Sequence, residues 1–112
     1  MIHRMNLHNS PFELIKNGTK TIELRLNDEK RQLLNKGDII EFTNRVTFEM
    51  IEAEIIELHY YDSFEELYKH FDKVSMGYRI DEDANYQDME IYYSKEEQAK
   101  YGVVGIEIKL KR

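Results

Sequence analysis

The chain has 112 residues and 41% hydrophobic content, which fits a single domain whose core needs neither disulfides nor metals. The absence of cysteine excludes thiol catalysis, disulfide bonds and thiolate metal sites. A net charge of −6 argues against a protein that binds duplex nucleic acid over a broad surface, because an acidic surface repels phosphate.

The first predicted elements are a strand over residues 2–7 and a short helix that follows it. Ser10 is predicted as the N-cap of this helix, with Pro11 at the first helical position and Glu13 closing a capping box. Gly18 is expected to end the helix, because glycine readily adopts the left-handed conformation found just after helix ends.

A strand that begins after Gly18 alternates polar and apolar side chains. Because side chains in a strand alternate with period two, Thr21, Glu23 and Arg25 share one face. Lys20 stands at the entry to this strand. A hydroxyl, a carboxylate, a guanidinium and an ammonium group so close together indicate a functional site. The alternative interpretation is a half-solvated sheet edge.

The middle of the chain predicts further strands. Residues 28–34 are expected to form one or two helical turns, and residues 36–38 a turn before a strand over 39–42. Residues 47–60 are strand-like, but their hydrophobic residues change phase, which bulges explain best. A long strand that changes face by bulging is typical of a small, strongly bent barrel.

Two further helices are predicted from capping boxes. Asp62 or Ser63 begins a helix through Phe71. Ser94 begins a short helix that ends at Gly102. The boxes are completed by the glutamates at positions 66 and 97, and a clearly alternating strand over 103–110 follows. Residues 72–87 carry no pattern that predicts an element.

Charge is divided unevenly along the chain. Residues 1–46 carry eight Lys or Arg against six Asp or Glu, a net of +2, whereas residues 47–112 carry eight against sixteen, a net of −8. A local basic patch or a set of solvated side chains explains the cationic residues of the first half. They are Lys16, Lys20, Arg25, Lys30, Arg31 and Lys36.

Localisation and cofactors are expected to be simple. The first residues lack the apolar run of a signal peptide, and no stretch approaches the roughly 20 apolar residues of a membrane span. A cytoplasmic protein without membrane contact is therefore expected. The histidines His3, His8, His59 and His70 show no motif spacing, so neither a metal nor another cofactor is expected.

Three sequence pieces occur in a characteristic order. They are Pro11-Phe12-x-x-Ile15-Lys16-x-Gly18-x-Lys20-Thr21-Ile22-Glu23-x-Arg25, Lys36-Gly37-Asp38 before a strand, and Tyr101-Gly102-Val103-Val104-Gly105-Ile106. Together they resemble the ASCH (activating signal cointegrator homology) family over nearly the whole chain. The resemblance implies an α+β fold, a small bent PUA-like β-barrel with three or more short helices packed around a cleft, and one domain over residues 1–112.

The resemblance also implies a function, since ASCH proteins are generally proposed to bind RNA. A single-stranded RNA or a nucleoside or nucleotide ligand is the expected partner, bound between the first helix and the barrel. Lys20 and Arg25 are expected to contact phosphate, and Glu23 to accept hydrogen bonds from an exocyclic amine or a ribose hydroxyl. The expected ligand-binding residues are Gly18, Lys20, Thr21, Glu23, Arg25 and Tyr101.

Tyrosines at the ends of predicted elements are candidates for stacking on a base. Tyr101 is preferred because it lies in the third sequence piece, at a helix end that leads directly into the last strand. The other candidates are Tyr60, Tyr61, Tyr92 and Tyr93. For all of these rings, packing in the core or at its rim is the alternative interpretation.

The alternative function is hydrolysis. A subset of similar proteins cleaves the amide of N-acetylated cytidine with a lysine, a threonine nucleophile three residues later, and a distant glutamate. Lys20 matches the lysine, but Glu23 occupies the threonine position, and its attack on an amide would give a mixed anhydride of higher energy than an ester. Lys20 and Glu23 are therefore the catalytic candidates for an amidohydrolase or ribonuclease that activates water instead.

Overall fold

The structure, a computed structural model, describes residues 1–111. Its elements in chain order are β1 (Ile2–Leu7), α1 (Asn9–Lys16), β2 (Ile22–Leu26), β3 (Ile39–Asn44), β4 (Met50–Tyr61), α2 (Phe64–Leu67), α3 (Lys95–Tyr101) and β5 (Val103–Leu110). Two 3₁₀ helices, Arg31–Leu33 and Tyr86–Ile91, lie in the connections. No helix within residues 1–111 is long and apolar enough to cross a membrane.

The five strands form one mixed sheet in the order β1-β3-β4-β5-β2. The β1–β3 pair is parallel, and the other three pairs are antiparallel. The sheet curls into a half-barrel whose edges are β1 and β2. This architecture confirms the predicted α+β class, with a bent sheet and several short helices.

The long strand β4 bends at a bulge. Ile55 pairs with Ile108 of β5 and Glu57 with the adjacent Glu107, so Ile56 is the extra residue. This confirms the bulge predicted from the change of hydrophobic phase between Ile55 and Ile56. The change of phase between Phe48 and Ile51 has another origin, because Phe48 lies outside the strand at φ 64° and its side chain is exposed.

The apolar side chains form two clusters. The first lies between α1 and the sheet and includes Phe12, Ile15, Phe42, Ile55 and Ile106. The second lies around β2, α2 and the start of β5, and includes Ile22, Leu24, Leu26, Phe64 and Val103. The alternating apolar residues of β2 therefore enter the second cluster, which leaves the opposite face of this strand for polar side chains.

Two predicted helix boundaries are wrong. His8, not Ser10, is the N-cap of α1, and it provides no side-chain cap. The pairing of β1 with β3 extends to Leu7, and the Phe12 N–H donates to the His8 carbonyl at 3.1 Å, so the helix begins directly after the strand. Pro11 still fits, because the first backbone N–H groups of a helix have no intrahelical acceptor.

The second wrong boundary is the end of α2, which comes earlier than predicted. Ser63 does cap α2 by accepting from the Glu66 N–H at 3.2 Å, but the helix ends at Leu67 instead of Phe71. Phe71 is drawn instead into contact with His59, at 5.0 Å between ring centroids. By contrast, the predicted capping box at the start of α3 is confirmed in full.

Candidate functional site

A cleft of about 530 Å³ opens between the junction of β1 with α1 on one side and residues 72–93 on the other. Its floor is formed by β2 and the residues just before it. The size falls within the range of sites that bind small molecules. The residues that line the cleft include Lys20, Glu23, Arg25, Arg45, Tyr68, Met76, Tyr78, Glu82, Asp88, Tyr92 and Tyr93.

Three charged side chains, here called the charge triad, form the floor of the cleft: Lys20, Glu23 and Arg25. Lys20 Nζ lies 3.4 Å from Glu23 Oε1, and Arg25 Nε donates to Glu23 Oε2 at 2.7 Å. Lys20 Nζ also donates to the Met76 carbonyl at 2.8 Å, and Arg25 Nη2 to the Asn6 carbonyl at 3.2 Å. The triad therefore links β2 to β1, at the opposite edge of the sheet, and to the 72–93 segment.

Lys20 and Glu23 are buried and Arg25 is partly buried, and this burial affects the pKa values of the triad. Burial raises the pKa of Glu23, but the charges and hydrogen bonds of Lys20 and Arg25 outweigh it and hold the pKa below the ordinary value. Burial lowers the pKa of Lys20 against the opposing charge of Glu23. Glu23 is therefore an ionised carboxylate, a group that only accepts hydrogen bonds.

Glycine at position 77 allows the 72–93 segment to cover Lys20. A Cβ at Gly77 would lie 3.2 Å from Lys20 Cδ, and the backbone φ of +109° disfavours any other residue. The neighbouring Met76 supplies the carbonyl that accepts from Lys20. The covered ammonium thus depends on a close backbone approach that glycine makes without strain.

Four tyrosines form the wall opposite the floor: Tyr68, Tyr78, Tyr92 and Tyr93. The hydroxyls of Tyr68 and Tyr78 lie 2.9 Å apart, and the Tyr78 hydroxyl donates to Asp88 Oδ2 at 2.7 Å. Burial and these neighbours raise the pKa of Tyr78. Tyr92 is 60% exposed, so its ring is open to contact with a ligand. The arrangement offers aromatic faces above a charged floor.

Comparison with known proteins places the chain in a family. The ASCH domain model matches residues 5–112. The protein belongs to the ASCH family. No curated protein matches it significantly.

Solved structures resemble this ASCH protein over nearly its whole length. The crystal structure of hypothetical protein PH0355 has a TM-score of 0.83 and 31% identity, and covers 99% of this chain and 100% of its own. The solution structure of protein PF0455 from Pyrococcus furiosus has a TM-score of 0.70 and 32% identity, and covers 98% and 97%. A mutant of ZmASCH from Zymomonas mobilis shares the fold, with a TM-score of 0.68, 14% identity and coverage of 96% and 67%.

The residues predicted for the site fall into two groups in this ASCH domain. Lys20, Glu23 and Arg25 come together on the cleft floor, whereas the residues that line the cleft within 1–111 do not include Gly18, Thr21 or Tyr101. The three outlying residues have structural surroundings instead. Gly18 follows α1 at φ 86°, the Thr21 N–H donates to the Ser75 carbonyl, and Tyr101 packs on the second cluster.

Other cleft residues were missed in the sequence. Met76, Tyr78 and Asp88 come from a stretch without hydrophobic periodicity, so no pattern marked them, whereas Tyr68, the C-cap of α2, lies inside the longer helix that the sequence predicted and was expected to pack in its apolar stripe. Of the tyrosines considered for stacking, Tyr92 and Tyr93 line the cleft, whereas Tyr60 and Tyr61 are not among its lining residues in the described chain. Within residues 1–111, no group of three potential metal ligands is placed to hold an ion.

Proposed function

We propose that this ASCH domain binds a nucleotide unit, either free or within a single-stranded RNA, in the cleft above the charge triad. One observation carries the proposal: a buried, ionised carboxylate held between two cations lies on the floor of a cleft of about 530 Å³ whose opposite wall is formed by tyrosines. Proteins recognise unpaired bases by combining aromatic stacking with hydrogen bonds to the base edges. The cleft supplies both kinds of group.

Stacking is assigned to Tyr92. Its ring is 60% exposed at the edge of the cleft, and it lies beside Tyr93 with 6.5 Å between ring centroids. Tyr68 and Tyr78 are less suited, because their hydroxyls are tied to one another and to Asp88. An exposed ring keeps its face free for a base.

Phosphate contact is assigned to Arg45 rather than to the triad. Lys20 and Arg25 already neutralise Glu23, whereas Arg45 is exposed and forms no ion pair with any residue of 1–111. Acidic side chains at Glu82 and Asp88 also line the cleft. This balance of charge favours a ligand with one phosphate near the cleft over a long polyanion.

Hydrolysis has less support from the geometry. Glu23 stands where the hydrolases have threonine, and the two cations that lower its pKa weaken it as a base. The Thr21 side chain is not among the groups that line the cleft in the described chain. We therefore expect no turnover of N-acetylated cytidine, and product formation above the buffer rate would favour the enzyme instead.

Binding is tested by fluorescence anisotropy of a short labelled single-stranded RNA that contains all four bases. We expect saturable binding to the wild type and binding at least about fivefold weaker to Tyr92→Ala, because base stacking contributes about 1–3 kcal/mol. Tyr60→Ala is the matched control, since Tyr60 is similarly exposed, at 55%, on β4. Absence of binding to the wild type, or equal losses in both variants, would overturn the proposal.

The phosphate assignment has its own pair of variants. Arg45→Ala is expected to weaken RNA binding and to reduce its dependence on salt by about one counterion. Arg4→Ala removes another exposed arginine, which pairs with Glu41 on β3, and is expected to leave binding unchanged. If both variants keep the wild-type salt dependence, Arg45 does not contact phosphate.

A further inference from the structure

The charge triad presents four hydrogen-bonding groups in a fixed order. Lys20 Nζ lies beside Glu23 Oε1 at 3.4 Å, and Arg25 Nε lies beside Glu23 Oε2 at 2.7 Å. The single Nε–H of Arg25 is donated to Glu23, so the floor offers a ligand the Lys20 ammonium, then the two oxygens of Glu23, with the remaining Nη hydrogens of Arg25 beside them. Lys20 and Glu23 are only 6% and 5% exposed, so water competes little with a ligand that reaches them through the cleft.

Each member of the triad keeps capacity for a ligand. The Lys20 ammonium has three protons, of which one is donated to the Met76 carbonyl and one faces Glu23. The Arg25 guanidinium has five N–H groups, of which two are used by Glu23 and Asn6. A carboxylate accepts about four hydrogen bonds, so both oxygens of Glu23 retain free lone pairs.

We propose that the cleft selects guanine, with the two oxygens of Glu23 accepting from the guanine N1–H and exocyclic amine and Lys20 donating to O6. This inference rests on the proposed function, because it names the base that the nucleotide site takes. The Watson–Crick edge of guanine reads acceptor, donor, donor, which is the complement of an ammonium beside the two oxygens of a carboxylate. Watson–Crick edges of unpaired bases are read in this manner by pockets that receive a single base.

The other bases meet repulsion at the same place. Adenine, cytosine and uracil each present a single N–H donor group on this edge, beside a ring nitrogen or carbonyl that carries a lone pair. One oxygen of Glu23 would then face that lone pair inside a buried site, where an unmatched polar contact is costly. Selection therefore comes from rejection of these three bases as well as from attraction of guanine.

The experiment is calorimetric titration of the wild type with the 5′-monophosphates of guanosine, inosine, adenosine, cytidine and uridine. We expect guanosine monophosphate to bind most tightly. Inosine monophosphate lacks only the exocyclic amine, and its affinity is expected to be at least about tenfold lower, because a hydrogen bond to a charged group is lost. Titration with single-stranded RNA that contains one guanosine among uridines, and with RNA of uridines alone, distinguishes a free nucleotide from RNA as the source of guanine.

The outcomes separate this inference from the function on which it rests. Equal affinity for all five monophosphates, or preference for another base, overturns guanine selection and leaves nucleotide binding standing. Failure of every nucleotide and RNA to bind overturns both. Tighter binding of the guanosine-containing RNA than of guanosine monophosphate, with weak binding of the uridine RNA, supports guanine selection within RNA.

A variant adds a second test of the same contact. Glu23→Gln replaces one acceptor by a donor, so the ratio of guanosine to inosine monophosphate affinity is expected to fall close to one. Glu66→Gln is the matched control, because Glu66 also pairs with a lysine, Lys69, but on the surface at α2. Its affinity ratio should equal that of the wild type. If Glu23→Gln does not fold, the ratio measured with the wild type decides the question.

Discussion

The floor and the wall of the cleft are built in opposite ways. The floor belongs to β2, where strand alternation alone places Glu23 and Arg25 on one face and apolar side chains on the other. The wall, formed by Tyr68 and residues 72–93, contains the 3₁₀ helix Tyr86–Ile91 and is otherwise held by turns with local backbone hydrogen bonds and by hydrogen bonds of individual side chains. The chemistry of the floor is thus encoded locally, whereas the shape of the wall depends on tertiary contacts.

The two regions meet at the start of β2. The Ser75 carbonyl accepts from the backbone N–H groups of Thr21 at 2.9 Å and Ile22 at 3.0 Å, and the Met76 carbonyl accepts from Lys20 Nζ. The wall is therefore attached to the floor beside the charge triad. Changes to either region beside this attachment are therefore expected to disturb the other, whereas changes in the wall away from it should leave the floor in place.

The largest effect is expected from removal of the central carboxylate. Glu23→Ala leaves the buried Lys20 and the partly buried Arg25 without their common partner, which is expected to lower the free energy of unfolding by about 3–5 kcal/mol. Urea unfolding followed by circular dichroism measures this loss. Glu66→Ala removes an exposed partner of Lys69 and is expected to change stability far less. Similar losses in both variants would contradict a structural role for the triad.

The charge of Glu23 should appear in the dependence of stability on pH. Burial raises its pKa, but Lys20 and Arg25 lower it further, so the folded value lies below the ordinary 4.5. A depressed pKa contributes stability that is present above pH 4.5 and lost as the pH falls through the folded value. The difference in unfolding free energy between the wild type and Glu23→Gln is therefore expected to shrink in acid.

Measuring a difference removes the contribution of other carboxylates. Asp38 and Glu57 also have lowered pKa values, through hydrogen bonds to His3 and to the Leu58 backbone respectively, and both are present in the two proteins. Urea titrations at pH 7 and at several values below 4.5 provide the comparison. A difference that stays constant across this range would mean that Glu23 is not ionised between its two cations.

A smaller effect is expected at the contact between wall and floor. Gly77→Ala introduces a Cβ about 3.2 Å from Lys20 Cδ at a backbone φ of +109°, and is expected to lower stability by about 1–3 kcal/mol. Gly37→Ala is the control, because Gly37 also has a positive φ, +92°, but nothing lies within 4 Å of its added Cβ. Both variants should lose stability from backbone strain, but only Gly77→Ala should weaken nucleotide binding. Equal affinities would show that the position of Lys20 does not matter for the ligand.

Much of the fold was predictable because it depends on short-range rules. Alternation predicted the inward residues of β2, and the change of phase near Ile56 predicted the bulge in β4. The predicted start of α1 was wrong because the pairing of β1 with β3 up to Leu7 determines where the helix begins. Such pairing is not visible in a local capping motif. The predicted end of α2 was wrong for a similar reason, since Phe71 packs against His59 of β4.

The same distinction explains which part of the candidate site was predicted. The polar residues of the floor are close in sequence. Strand alternation predicted that Glu23 and Arg25 share one face, and Lys20 immediately precedes that strand. The wall could not be predicted in this way, because Tyr68 and Tyr78 meet Asp88 only after residues 72–93 fold back over Lys20. Gly77 had no special status in the sequence, since its role depends on the proximity of a side chain 57 positions earlier.

The smallest effect is expected within the wall. Tyr78→Phe removes the hydroxyl that donates to Asp88 and contacts the Tyr68 hydroxyl, and is expected to lower the free energy of unfolding by about 1 kcal/mol. Because the floor stays intact, discrimination between guanosine and inosine monophosphate should not change. Calorimetry and urea unfolding provide the two readouts, with Tyr60→Phe as an exposed control. A loss of discrimination in Tyr78→Phe would mean that the wall also helps to select the base. Base selection could then not be assigned to the floor alone.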